Sequence, residues 1–423
     1  MSNAPYTLML LVLGSVQITG CIGLGSGSES PAFSPDGTHI SYLSEDRLEE
    51  WVVDGKTWFR SINLHWCSVS DPAKESSIPV ETLVGAEFMS SGRVPCLEVK
   101  WSPNSSRIGV LTPHKLIIVE ANSRKKTEIR DGRIMSFAWL SSGEIAYCTR
   151  RTRGNMQRRV ICRQDLTGQH RTEVAAFREY PGRDLQMDYS WREYWSPSGK
   201  HVIFLEPAFG GQYHCVNVFD GTTHAFGQTK AKACHEGVAW APDSSHAFCV
   251  SRKVGPEDIY EAILLEPATG KAVDRTSDFQ ETFKGGWPTL EPIWTADGKY
   301  VLANGSPTGG LLVQPDPWKV VPLGQILAPK FDAGKKSTNR LRLFRLPVAG
   351  WVGVLFTEKE GDPSLKYAAD YSGEQVRALQ ETPDDLAISP DGTLAATIGQ
   401  DKRVRILNLD KWDKGTSLIN ANH

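Results

Sequence analysis

Phe33-Ser34-Pro35-Asp36-Gly37 decides the fold, because it reads as a corner between two strands and it recurs along the chain. Proline pre-sets the first corner of a type I turn, aspartate bonds to nearby backbone, and glycine accepts the left-handed position from which the chain re-enters a strand. Related copies stand at Trp101-Ser-Pro-Asn-Ser105, Trp139-Leu-Ser-Ser-Gly143, Trp195-Ser-Pro-Ser-Gly199, Trp240-Ala-Pro-Asp-Ser244, Trp294-Thr-Ala-Asp-Gly298 and Ile388-Ser-Pro-Asp-Gly392, with a degenerate copy at Leu346-Pro-Val-Ala-Gly350. The intervals average about 51 residues, the size of one propeller blade. Each corner leads into an apolar run such as Ile40-Ser-Tyr-Leu43, Ile108-Gly-Val-Leu111 or Val202-Ile-Phe-Leu205, as expected of a strand buried on both faces. A third strand follows, as at Val160-Ile-Cys-Arg-Gln, and then a weaker outer one, with candidates at 170–177, 318–321 and 375–379.

Four-stranded antiparallel units that cannot bury both faces alone stack around an axis, which predicts an all-β chain folded as a β-propeller. Eight copies predict eight blades. Rejecting the degenerate copy leaves seven, together with a stretch too long for a loop, and 340–356 reads as two strands, so eight is preferred. Segments 404–409 and 416–419 are expected to complete the last blade.

Upstream, Leu8 to Val16 (LMLLVLGSV) has the length of a signal-peptide core and is too short to span a bilayer. Ile18-Thr19-Gly20-Cys21 follows and resembles the bacterial lipobox, which implies cleavage before Cys21 and lipid on its thiol. Residues 21–30 are rich in glycine and serine and read as a tether, so the division is leader 1–20, tether 21–30, propeller 31–423. With 47 basic and 49 acidic residues the net charge of −2 gives no global pull toward nucleic acid. Membrane contact is expected through the lipid alone, because charges interrupt every other apolar run.

The corner-and-strand units resemble the WD40-like PD40 repeat found in the propeller of the TolB family; the best copies are Phe33 to Tyr42 and Ile388 to Ala396. TolB proteins carry an α/β domain before the propeller, whereas here only the tether separates Cys21 from the first blade, so the resemblance implies a lipoprotein variant without that domain. It implies a periplasm-facing or surface-exposed role at a bacterial cell envelope.

Candidate sites are few. The periodic tryptophans Trp101, Trp139, Trp195, Trp240 and Trp294 could floor a ligand site, but regular placement is what packing between blades demands. His201, His214, His224, His235 and His246 crowd one region with spacings that match no metal signature, so no metal or other cofactor is expected. Cys148 and Cys162 are expected opposite each other on the second and third strands of one blade, either as a disulfide or as two buried thiols. The same hairpin carries Arg150, Arg151, Arg153, Arg158 and Arg159, near Arg124, Lys125 and Lys126, a local basic patch that could dock an acidic partner. No Gly-x-Ser-x-Gly elbow occurs, and no catalytic residue is assigned. The expectation is a non-catalytic module that binds an envelope protein or glycan; the alternative is a propeller enzyme, such as a metal-dependent polysaccharide lyase, working in the central channel.

Overall fold

The computed structural model describes residues 31 to 408 apart from internal stretches, the longest at 85–97, 180–192, 206–212, 331–340, 357–364 and 379–385. Cys21, the leader, the tether and segment 416–419 lie outside the described residues.

The chain is a β-propeller. Its strands form eight antiparallel sheets over 32–84, 98–129, 133–179, 194–226, 233–274, 287–321, 341–378 and 386–408, taken here as blades 1 to 8. Six are four-stranded meanders in sequence order. Blade 6 has two short strands, Trp287–Pro288 and Ile293–Trp294, both paired with Val301–Ser306, and blade 8 has three strands among the described residues. The degenerate copy lies within blade 7, between Leu341–Arg345 and Trp351–Phe356. The weak outer strands form as Arg171–Glu179, Trp318–Val321 and Val376–Ala378.

The corner chemistry explains the repetition. In blade 1, Ser34 Oγ donates to Asp36 Oδ1 at 2.6 Å, and the Thr38 amide donates to the same oxygen at 3.0 Å. Gly37, Gly199 and Gly298 take φ near +70°. At Gly199 the requirement is also steric, because a Cβ would collide with the Trp139 carbonyl oxygen of blade 3. Ser105 and Ser244 occupy the same left-handed position at φ +59° and +65°. Their hydroxyls accept the Asp36 and Ser198 amides of the preceding blades at 3.1 and 3.0 Å, which offsets the cost of a non-glycine residue there.

Blades are joined by tryptophans. Trp101, Trp139, Trp240 and Trp294 each donate their indole N–H to a carbonyl on the inner strand of the preceding blade: Ala32, Lys100, Tyr194 and Ala239, at 2.9 to 3.2 Å. Trp195 donates instead to Ser136 Oγ at 2.9 Å. A buried indole needs such a partner, and these partners fix each blade against the one before. Apolar clusters fill the seams, with Ile62, Leu64, Ile108 and Val110 between blades 1 and 2, and Phe137, Trp139 and Tyr147 between 2 and 3. Ile40 and Cys67 of blade 1 pack with Ala396 of blade 8, which brings the ends of the ring together. Two short helices, α1 (Thr276–Thr282) and α2 (Leu323–Leu327), depart from the all-strand expectation. They send Phe279 and then Leu323 and Leu327 into seam cores, helping to cover the outer edges of blades 5 and 6.

Cys148 and Cys162 correct the expectation of directly opposed partners. The register pairs Cys148 with Ile161 and Tyr147 with Cys162, so the two thiols are one step out of phase and point to opposite faces. Cys148 packs toward blade 4 and Cys162 toward blade 2; both are buried and free.

Candidate functional site

The second strand of blade 3, Ile145–Arg153, has nine residues, where Arg107–Leu111 of blade 2 has five. Four additional residues extend a strand by roughly 13 Å. This extension carries the predicted arginines, and the register divides them between two faces. On one face Arg150 stands directly between Arg133 and Arg159; on the other, Arg158 stands between Arg151 and Arg178. Like charges directly opposite one another repel, so two such rows across four strands need counter-charge.

Part of that counter-charge is built in. Arg151 donates to Asp131 through Nε at 3.1 Å and Nη2 at 2.8 Å, and it also pairs with Glu173. Arg171 reaches Asp131 Oδ2 at 2.8 Å, and the Tyr147 hydroxyl donates to the same carboxylate at 2.9 Å. Burial and the nearby Asp131 push the Cys162 thiol up to about 12. Arg159 is enclosed: its Nη1 lies 2.8 Å from Glu193 Oε1 with the two side chains 1% and 4% exposed, and its guanidinium carbon is 6.0 Å from the centre of the Phe204 ring. Glu193 leads into the inner strand of blade 4, so this pair crosses a seam. Burial and Glu193 push the Cys148 thiol well above its ordinary value.

The five predicted arginines therefore do not make one surface. Arg159 is structural, Arg151 is committed to Asp131 and Glu173, Arg150 is half-buried, Arg158 is exposed, and the side chain of Arg153 lies outside the described residues. Sequence spacing missed Arg133, which is exposed, and Arg178; cross-strand pairing adds both. Of the neighbouring basic cluster, Arg124 donates to Ser76 Oγ and Lys126 to the Pro79 carbonyl, which ties blade 2 to the outer strand of blade 1.

A second constellation lies on blade 1, and no spacing rule pointed to it. Tyr42 and Ser44 on the strand His39–Trp51 share a face with His65 on Thr57–Ser68 and Glu75 on Asp71–Val84. His65 Nε2 is 2.8 Å from Ser44 Oγ, and His65 Nδ1 is 2.6 Å from Glu75 Oε1. The Tyr42 hydroxyl donates to Glu75 Oε2 at 2.7 Å, and its ring stacks on His65 with centroids 4.7 Å apart. Burial, reinforced by Glu75, pushes the Cys67 thiol up to about 11 and the Tyr42 phenol above its ordinary range. The available signal in the sequence was the Asp-Gly pair at 54–55 between two strand-like runs, a dipeptide that favours a hairpin turn.

Of the predicted histidines, two pack against aromatic rings, and the side chain of His235 lies outside the described residues. His201 stacks on Trp240 at 6.3 Å, and His214 lies against Phe204 and Phe177. Among the described residues, no group of three or more histidine, cysteine, aspartate or glutamate residues is placed to hold a metal ion.

No protein-family model matches the chain, and no curated protein matches it. Solved structures do. A eukaryotic initiation factor aligns over 84% of this chain and 79% of its own at 11% identity with a TM-score of 0.51. The tricorn protease aligns over 94% of this chain at 11% identity and a TM-score of 0.47, and this chain spans 44% of its length. TolB from Acinetobacter baumannii aligns over 77% of this chain and 80% of its own at 14% identity, with a TM-score of 0.33. At these identities the likeness is one of fold.

Proposed function

We propose that the chain is an interaction module of a bacterial cell envelope: a TolB-like propeller, exported and held to a membrane by lipid at Cys21, that docks an acidic protein or glycan on the extended end of blade 3. The observation that carries the docking reading is the register that gathers Arg133, Arg150, Arg158 and Arg178 at the extended end of blade 3, around the committed Arg151 and the buried Arg159. Asp131, Glu173 and Glu193 engage Arg151 and Arg159, while Arg133 and Arg158 stand exposed beside them. A polyanion settling on the exposed Arg133 and Arg158 would give salt-dependent binding to a protein that is otherwise near neutral. The lipobox-like Ile18-Thr19-Gly20-Cys21 and the preceding apolar stretch support the envelope address.

The test uses poly-glutamate and polygalacturonate as probes for acidic protein and acidic glycan. Binding is measured by calorimetry on the parent and on the triple variant Arg133→Ser, Arg158→Ser, Arg178→Ser, with Arg159 left in place. The expected result is at least a tenfold loss of affinity for the preferred probe, with weakened salt dependence. Equal binding by parent and variant, or no binding by either, rejects the docking surface.

A further inference from the structure

We infer that Ser44, His65 and Glu75 form a nucleophile–base–acid relay, so that blade 1 carries a serine-esterase-type site for short-chain acyl esters. This stands apart from the docking reading and shares no residue with it.

The atoms are arranged as acyl transfer requires. A neutral imidazole with its proton on Nδ1 donates to Glu75 Oε1 at 2.6 Å, which leaves Nε2 to accept the Ser44 hydroxyl at 2.8 Å. The partners fit this order: Nδ1 faces a carboxylate, which accepts, and Nε2 faces a hydroxyl, which can donate to it. Glu75 is itself held by the Tyr42 hydroxyl at 2.7 Å, and the imidazole lies against the Tyr42 ring, so position and tilt are both fixed. Three strands of one sheet supply the three groups, a rigid support for a relay. The nearby Cys67 thiol, pushed up to about 11 by burial and Glu75, stays protonated near neutral pH and does not compete as a thiolate.

The reaction balances without a cofactor. Ser44 Oγ bonds to the ester carbonyl carbon as its proton moves to His65 Nε2, and the imidazolium is stabilised by Glu75. The carbon–oxygen bond to the alcohol breaks, and the alcohol leaves with the proton from Nε2. Water then attacks the acyl-serine with His65 as base, and the carboxylic acid departs, restoring Ser44. Ser44 is only 3% exposed, while the side chains of His65 and Glu75 are 17% and 30% exposed, so entry is from the histidine side and suits small acyl groups.

The experiment treats the full chain with a fluorophosphonate and, separately, with p-nitrophenyl acetate, followed by intact mass and peptide mapping. One covalent adduct on the peptide containing Ser44 is expected. It should be absent in Ser44→Ala, and in His65→Asn the rise in labelling rate with imidazole deprotonation should be lost. Glu75→Gln should slow labelling at least tenfold, with circular dichroism verifying each fold. No adduct at Ser44 on the folded parent protein overturns the inference whatever the variants do, as does labelling in His65→Asn at the parent rate.

Discussion

Arg159→Met should destabilise the protein by about 3–5 kcal/mol, although it removes a residue that sequence reading places on a surface patch. The magnitude follows from the geometry: the Arg159 and Glu193 side chains are 1% and 4% exposed and 2.8 Å apart, so deleting the cation strands a carboxylate inside a protein seam. Desolvating that carboxylate without its partner is the dominant cost. Removing both charges tests this directly. Arg159→Met combined with Glu193→Leu leaves no orphaned ion beside Phe204 and Cys148, and should return close to the parent. By contrast Arg158→Ser, one residue away but exposed, should stay within about 0.5 kcal/mol. Equilibrium urea unfolding of the parent, both single variants and the double variant closes the cycle. A loss below about 1 kcal/mol for Arg159→Met, or a double variant as unstable as the two single losses added, would refute the buried-pair reasoning.

Acid should weaken the ring through its corners. Asp36 is drawn down to about 2: partial burial acts to raise it, but hydrogen bonds from Ser34, Thr38 and Ser105 prevail, and Asp243 and Asp391 are lowered mainly by Ser245 and Ser389. A folded value below the unfolded one makes the contribution fully present above about pH 4 and lost as pH falls toward 2, about 1 kcal/mol or less for exposed Asp36 after solvent screening. Urea midpoints at pH 5 and pH 2.5 read it, and a flat profile contradicts it. Lipid attachment predicts that the expressed full chain sediments with membranes and incorporates radiolabelled palmitate; Cys21→Ala should abolish both, and labelling that persists in that variant excludes Cys21 as the anchor.

The scaffold was legible because its signals are local. A corner of five residues, an apolar run behind it and a tryptophan before it are set by backbone angles and burial within one blade, and Gly350 takes the left-handed angle of φ +81° even in the degenerate copy. What escaped depends on cross-strand register. Spacing placed Cys148 and Cys162 on adjacent strands, but a one-residue phase difference turns their side chains apart, and the same alternation splits the arginines into two rows. The relay was hidden because its members are 21 and 10 residues apart and meet only when three strands pair. Helix α1 escaped for a different reason: the Phe279 and Phe283 spacing of four is helical, but it spans barely two turns between strand signals.

Strand length then separates what holds the ring from what can act on other molecules. Short second strands such as Arg107–Leu111 and His201–Leu205 show that five residues reach from the corner across the seam, with Ile108, Val110 and Leu111 in one and Val202, Ile203 and Phe204 in the other packed into seam clusters. In blade 1 the second strand begins at His39, so Ser44 is its sixth residue; in blade 3 it begins at Ile145, so Arg150 is its sixth. Both polar groups therefore appear at the first position past the shared core length. Up to the fifth residue an unpartnered polar side chain would cost the seam its packing, as apolar Leu43 and hydrogen-bonded Thr149 illustrate. From the sixth onward the strand still has sheet partners to fix its geometry but is released from the shared packing length. The proposed relay and the proposed docking edge both need a rigid backbone that carries side chains past the seam, and the second strands of blades 1 and 3, at 13 and nine residues, run further than the seven of Ala247–Lys253.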